Sequence, residues 1–414
     1  MTSCSNRLAL GRASAARFRK LSDEDALLCA CARTSLDEAG VDRVRRLVAC
    51  PLDWSRVLAG ASAHGLASLL ALHLDRLDEV PEFVQRELRA RLRQNTRRNV
   101  ALAGELVHLV DRLRAHGVLA LPFKGPVLAA MAYGHLGLRE FVDLDLLVRT
   151  SDVPAARRAL RAEGYQPAVD LPPAQESAYL RSRYDYPFQR DGDGLVVEIH
   201  WRIVPAHFGV RLDYSGFWER AAIISLGGRP LHTLSAEDLL IVLAVHGTKH
   251  LWGRLGWVSD IAELLHAAQR LDWDRLWARS EQSRSQRMLA VALALAVDLL
   301  DAPVPAEVLG RASSDRVVGR LVEEVEQRLS QPQSTLWRET RFHTRAHRYR
   351  VDRWRYLVRF VVATTPGDWA VVRLPRLLFP LYHLIRLVRI MTKYGGAAAR
   401  SRASHGSLSN TRGR

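Results

Sequence analysis

Lysine is scarce in this sequence. Of 60 basic residues only Lys20, Lys124, Lys249 and Lys393 are lysine. The bias toward arginine and alanine looks like GC-rich coding. A lysine retained against it marks a place where a compact ammonium does what a planar guanidinium does not, with chance as the alternative. Cysteine is scarce too. Cys4, Cys29, Cys31 and Cys50 crowd near the start, and no second Cys/His pair completes a zinc site. That excludes a disulfide framework and points to a reducing cytoplasm. No apolar run reaches about 18 residues without charge, so no spanning helix is expected. The basic N-terminus lacks an apolar core of its own, so no secretory signal is expected either. The last fifth of the chain is almost without acid. Residues 337–414 hold 17 Lys+Arg and 3 Asp+Glu, a net of +14 out of +16 for the whole chain. A domain wrapped around nucleic acid is basic throughout. Here a near-neutral body carries a cationic appendage suited to an anionic surface.

What is present is ordinary for a globular protein: 48% hydrophobic and 25% charged residues over 414 positions. Global disorder and a collagen-like fibre are excluded, and two or three domains are expected. Residues 1–20 read as a flexible tail and 21–100 as an N-terminal helical region, with a long charged helix from about Pro81 to His116 closed by Gly117. The period then changes. Val118–Phe123, Val142–Val148 and Leu195–Val204 read as strands, Pro126–Tyr133 and Ser151–Glu163 as helices, with Ser151 as N-cap. These make an α/β core over 101–205. A helical domain follows over 206–336, then a basic amphipathic helical segment over 337–395 and a disordered tail over 396–414. The fold class is α+β: a small mixed sheet flanked by helical regions.

Asp143 and Asp145 stand two apart in an apolar strand. Alternation puts both on one face, with Cα atoms roughly 6.5–7 Å apart. Acids are depleted in strands, and burying two like charges side by side is costly. A divalent cation between them removes the cost, and Mg²⁺ favours such hard oxygen ligands. Glu198 repeats the pattern between Val197 and Ile199 in the later strand. Three carboxylates on neighbouring strands suit two metal ions about 3.5–4 Å apart, the geometry of in-line phosphoryl transfer. Upstream, Phe123-Lys124-Gly125-Pro126 reads as a strand-to-helix turn. There Gly125 lets backbone approach a phosphate and Lys124 supplies a point charge, or the glycine merely serves a tight turn.

The segment LPFKGPVLAAMAYGHLGLREFVDLDLLV, with VEIHW at 197–201 and HGTKHLWGRLGWVSDIAELL at 246–265, resembles the bacterial family of uncharacterised nucleotidyltransferases, within the DNA polymerase beta-like nucleotidyltransferase superfamily. The upstream DWSRVLAGASAHGLASLL is similar to that family's helical N-terminal part, so the resemblance covers about residues 50–270. In the wider superfamily the turn is Gly-Gly or Gly-Ser, whereas Lys124 stands first here, and Asp143 lies 18 positions after Gly125. The resemblance implies a nucleotidyltransferase core and transfer of a nucleoside monophosphate from an NTP to a hydroxyl, with Mg²⁺ or Mn²⁺ as cofactor. It implies that Asp143 and Asp145 bind metal and triphosphate. Glu198 then completes the metal site and serves as base, and Lys124 and Arg139 neutralise the leaving pyrophosphate.

In His246-Gly-Thr-Lys249-His250, residues 246, 249 and 250 share a helical face. They read as a lid presenting Lys249, His246 and His250 to the nucleotide, or as a polar helix face. The H-x-x-x-H spacing is not a zinc hydrolase motif, because Gly247 stands where the general base belongs. Asp260 faces the same cleft or caps its helix. The Arg- and aromatic-rich 337–359 run and the apolar, acid-free 374–391 run suit contact with anionic membrane or nucleic acid, or packing on the protein itself. Two readings follow. One is a cytoplasmic, ATP- or other NTP-binding transferase, peripheral to the inner membrane, acting on a small molecule, glycan precursor or protein hydroxyl. The other is an inactive module of the same fold that works through its basic segment.

Overall fold

The computed structural model describes residues 21–169, 173–268, 270–331, 335–362, 372, 381–386 and 388–389. The tails expected at 1–20 and 396–414 and most of the 374–391 run lie outside them.

The architecture is α+β. A five-stranded sheet, β1 (Ala120–Pro122), β2 (Asp143–Val148), β3 (Tyr165–Pro167), β4 (Asp185–Arg190) and β5 (Val196–His200), has the order β1-β2-β5-β4-β3. It is mixed: β2 and β5 run parallel, and the other pairs are antiparallel. The strands are rich in aliphatic and aromatic residues, and Leu144, Leu146, Tyr186, Phe188, Val197 and Ile199 are buried. A hairpin of β6 (Ala222–Leu226) and β7 (Arg229–Thr233) docks on β1, where Thr233 Oγ1 donates to the Pro122 carbonyl at 2.7 Å. This hairpin lies in a stretch that composition reads as helical. The expected strand at 195–204 is shorter than its apolar run: after His200 the Trp201 and Arg202 amides both turn to the Tyr184 carbonyl.

Helices flank the sheet on the N-terminal side (Asp23–Ala30 to Glu82–Ala115) and the C-terminal side (Ala236–Lys249 to Arg350–Val362). The Gly125–Leu128 helix continues as a π-helical turn over Ala129–Tyr133. Ser151 is not an N-cap: a 3₁₀ turn at Thr150–Asp152 precedes the Val153–Ala162 helix, and the Ser151 hydroxyl bonds Asp152 instead.

Two buried asparagines on the Glu82–Ala115 helix shape the approach to β2. Asn95 Nδ2 donates to the carbonyls of Gly137 and Arg139 at 2.8 and 3.1 Å, and Asn99 Nδ2 donates to Leu136 and Arg139 at 2.6 and 2.8 Å. A buried backbone carbonyl needs a donor, and these amides supply it where no ladder can. Gly137 is held so close that a Cβ there would clash with Thr96 Oγ1.

Candidate active site

The parallel register of β2 and β5 sets Asp145 directly opposite Glu198 and Leu147 opposite His200. Asp143, Asp145, Glu198 and His200 line one cavity of about 360 Å³. Lys124, Arg139, His246, Lys249 and His250 line it as well, so the structure brings together eight of the nine residues singled out from the sequence. Gly125 does not line it. Its φ of +53° and the Asp143 carbonyl, 3.2 Å from where a Cβ would sit, require glycine. A larger groove of about 620 Å³ lies between the Arg316–Ser330 and Leu336–Ala346 helices, away from these groups.

Asp145 is buried, and its Oδ1 accepts from Lys124 Nζ at 2.9 Å and from His200 Nε2 at 3.0 Å. His200 Nε2 also lies 3.1 Å from Glu198 Oε2. Against the cost of burial, Lys124 and His200 hold the Asp145 carboxyl well below the usual carboxylate range. Glu198 is lowered by the His200 bond, which outweighs its burial. The same contacts push His200 up to about 9 despite its burial, and Lys124 is raised by Asp145 and Asp143 against its own. Asp143 is the odd member. Burial and the facing Asp145 charge push it up to about 6. Its protonated form is therefore favoured more than that of an ordinary aspartate.

The donor set can be tested against a cation directly. Asp145, Glu198 and His200 each offer one ligand atom, all within 4.8 Å of one another. Two carboxylate oxygens and one imidazole nitrogen make a candidate site for a divalent cation, with Asp143 on the same wall. As a ligand His200 would first surrender its proton. His200 is the residue that sequence reasoning passes over. It stands two positions after Glu198 in the same strand, so alternation alone places it on the acidic face.

Arg139 sits differently from a free phosphate ligand. Its Nε and one terminal nitrogen donate to the two oxygens of Asp260 at 2.7 and 2.9 Å, while Nη1 is buried without a hydrogen bond. Asp260 is neither an N-cap nor a cleft residue. It lies within the Leu255–Ala267 helix, buried, and accepts from Tyr133 as well at 2.8 Å. Across the cavity, Lys249 Nζ donates to the Tyr184 hydroxyl at 2.9 Å, above the same ring. Burial and the nearby Lys124 charge lower Lys249 to about 8. The His246 and His250 rings lie tilted against one another, with His246 edge-on to Trp257 and His250 tilted against it, at ring-centroid distances of 4.6, 5.5 and 5.3 Å. Burial and the surrounding cations hold His246 far below the usual imidazole range, so it is a neutral ring. Arg98 and Arg254, which the sequence does not single out, line the cavity near Glu140.

No curated protein matches the chain, and no solved structure matches it. The family model of the uncharacterised nucleotidyltransferases matches residues 51–301, more than half of the chain and all of the residues that line this cavity. The chain belongs to the uncharacterised nucleotidyltransferase family.

Proposed function

We propose that the protein is a divalent-cation-dependent nucleotidyltransferase that moves an NMP group from an NTP to a hydroxyl on a small molecule, a glycan precursor or a protein. The observation that carries this reading is the convergence of Asp143, Asp145 and Glu198 on one cavity wall, with Asp145 and Glu198 in register across a parallel strand pair. Asp145, Glu198 and His200, joined by Asp143, would hold Mg²⁺ or Mn²⁺. The bound ion supplies charge neutralisation and polarisation at the reacting phosphoryl group. The acceptor oxygen attacks the α-phosphorus, pyrophosphate leaves, and Glu198 takes the hydroxyl proton as general base. Lys124, Arg98 and Arg254 offer charge to the triphosphate, with Arg139 presenting its unbonded Nη1. The neutral His246 and His250 rings, with Trp257, offer an aromatic wall for a nucleobase, and Lys249 a donor beside it.

The test is thermal stabilisation by each of the four NTPs with Mg²⁺ or Mn²⁺, followed by label transfer from an α-labelled NTP in cell extract. Stabilisation lost in the paired Asp143→Ala, Asp145→Ala variant is the expected result. Absence of stabilisation by any NTP argues against the reading. One observation favours the rival, an inactive module of the same fold. Lys124 and His200 already neutralise Asp145 from within the chain. On that reading, removal of residues 337–414 abolishes function and Asp143→Ala leaves it intact.

A further inference from the structure

We propose that the Arg350–Val362 helix is a membrane-contact element whose outer face rests on an anionic lipid surface; this goes beyond the transfer reaction and stands without it. The inner face of the helix is accounted for. Asp352 is buried, and both of its oxygens accept from Arg284 Nη1 at 2.9 and 2.8 Å. Tyr356 is buried too, its hydroxyl 2.9 Å from His343 Nδ1 and its ring edge-on to Phe208. At about 3.6 residues per turn the opposite face carries Val351, Trp354, Val358 and Val361. All four are exposed, Trp354 by 69%. Arg350 borders this stripe on one side and Arg355 on the other, both exposed. The helix therefore packs one face on the protein through Asp352 and Tyr356 and leaves an apolar stripe unpacked on the opposite face.

The charge around the stripe selects the occupant. Residues 337–414 carry a net of +14 with three acids, and one of those, Asp352, is turned inward onto Arg284. An aliphatic stripe with an indole, edged by arginines, fits the boundary between lipid headgroups and acyl chains. Nucleic acid favours a polar or stacking face, and Val351, Val358 and Val361 offer neither phosphate nor base a partner. The described part of the following segment repeats the pattern, with Leu381, Leu384 and Val388 exposed at helical spacing. Among the described residues no helix is long and apolar enough to cross a membrane.

The experiment is flotation of the full-length protein with vesicles of phosphatidylcholine alone or mixed with phosphatidylglycerol, at two salt concentrations. We expect binding to the anionic vesicles at least about tenfold stronger than to the neutral ones, weakened by salt. Trp354→Asp with Val358→Asp should lower vesicle binding about tenfold again while the melting temperature holds, since both side chains are exposed. Equal vesicle binding by that variant, or none by the wild type, overturns the proposal. Salt-sensitive binding to RNA in place of vesicles assigns the face to nucleic acid and overturns it too. A dimer in light scattering that the variant dissolves gives the stripe to a second copy of the chain, and the membrane assignment fails in that case as well.

Discussion

Asp143→Asn and Asp145→Asn remove neighbouring carboxylates of one strand, yet they should move stability in opposite directions. Asp145 is the buried counter-charge of Lys124 and His200. Its amide variant strands two buried cations, and breaking a buried pair costs roughly 3–5 kcal/mol. Glu198 still holds His200, which places the loss near the low end of that range. Asp143 is the reverse case. Its carboxyl sits at about 6 against an ordinary 3.8, because burial and Asp145 disfavour its charge. One pH unit is worth about 1.4 kcal/mol, so the charged form costs about 1–3 kcal/mol at neutral pH once partial exposure is discounted.

The sign follows from proton binding. The folded value lies above the unfolded one, so the native state holds more protons between pH 3.8 and about 6. Stability therefore falls as pH rises through that window. Asp143→Asn escapes the fall. In EDTA it should melt a few degrees above the wild type at about pH 7.5, with a smaller gain at about pH 5. Calorimetry of the wild type and the two single variants at both pH values decides the matter. An Asp143→Asn variant that melts below the wild type at neutral pH, or gains equally at both, refutes the like-charge account of this wall. Added divalent cation should reverse the order on the proposed reading, since the wild type then has a use for its third carboxylate.

Two further outcomes follow from buried pairs elsewhere. Asp260→Asn leaves the Arg139 guanidinium buried without its bidentate partner and should cost about 3–5 kcal/mol in urea unfolding, whereas Arg139→Met with Asp260→Leu should cost less than the sum of its single changes. His347 is 1% exposed and neither ring nitrogen is hydrogen-bonded; burial lowers it to about 4 from 6.5. Its native state binds fewer protons in that window, so stability falls as pH drops through it, by up to about 3 kcal/mol, and His347→Phe should flatten the pH dependence of unfolding between about pH 4 and 7.

The parts of the fold that can be read from the sequence are those where local pattern and tertiary role agree. Strands β2 and β5 combine aliphatic alternation with acids at one phase, so both the strands and the acidic face are visible. Strands β3 and β4 are hidden by their prolines: Pro167 ends a three-residue strand and Pro187 interrupts a six-residue one. The β6–β7 hairpin carries Gly227-Gly228, a turn signal, but joins half-exposed five-residue strands beside long helical runs. Lys124 is legible as a site residue, whereas its bond to Asp145 is not. The Arg139–Asp260 pair spans 121 positions, and only packing of the Leu255–Ala267 helix onto the π-helical turn brings them together.

On the proposed reading, the charges of the cavity bear on the order of binding. Lys124 and a protonated His200 offset two of the three carboxylates Asp143, Asp145 and Glu198, leaving a single charge among them uncompensated before anything enters. A cation alone must displace Lys124 from Asp145 and the proton from His200, and a triphosphate alone meets Asp143 and Glu198. Together they exchange partners: the cation takes the carboxylates, and the phosphates take the released ammonium along with Arg98 and Arg254. Each ligand removes the repulsion that the other would face, so nucleotide and cation bind with positive coupling. The in-chain pairing that makes the site look inert is then its resting state, and the same Lys124 Nζ serves as a placeholder for the cation and as the first group to greet the nucleotide.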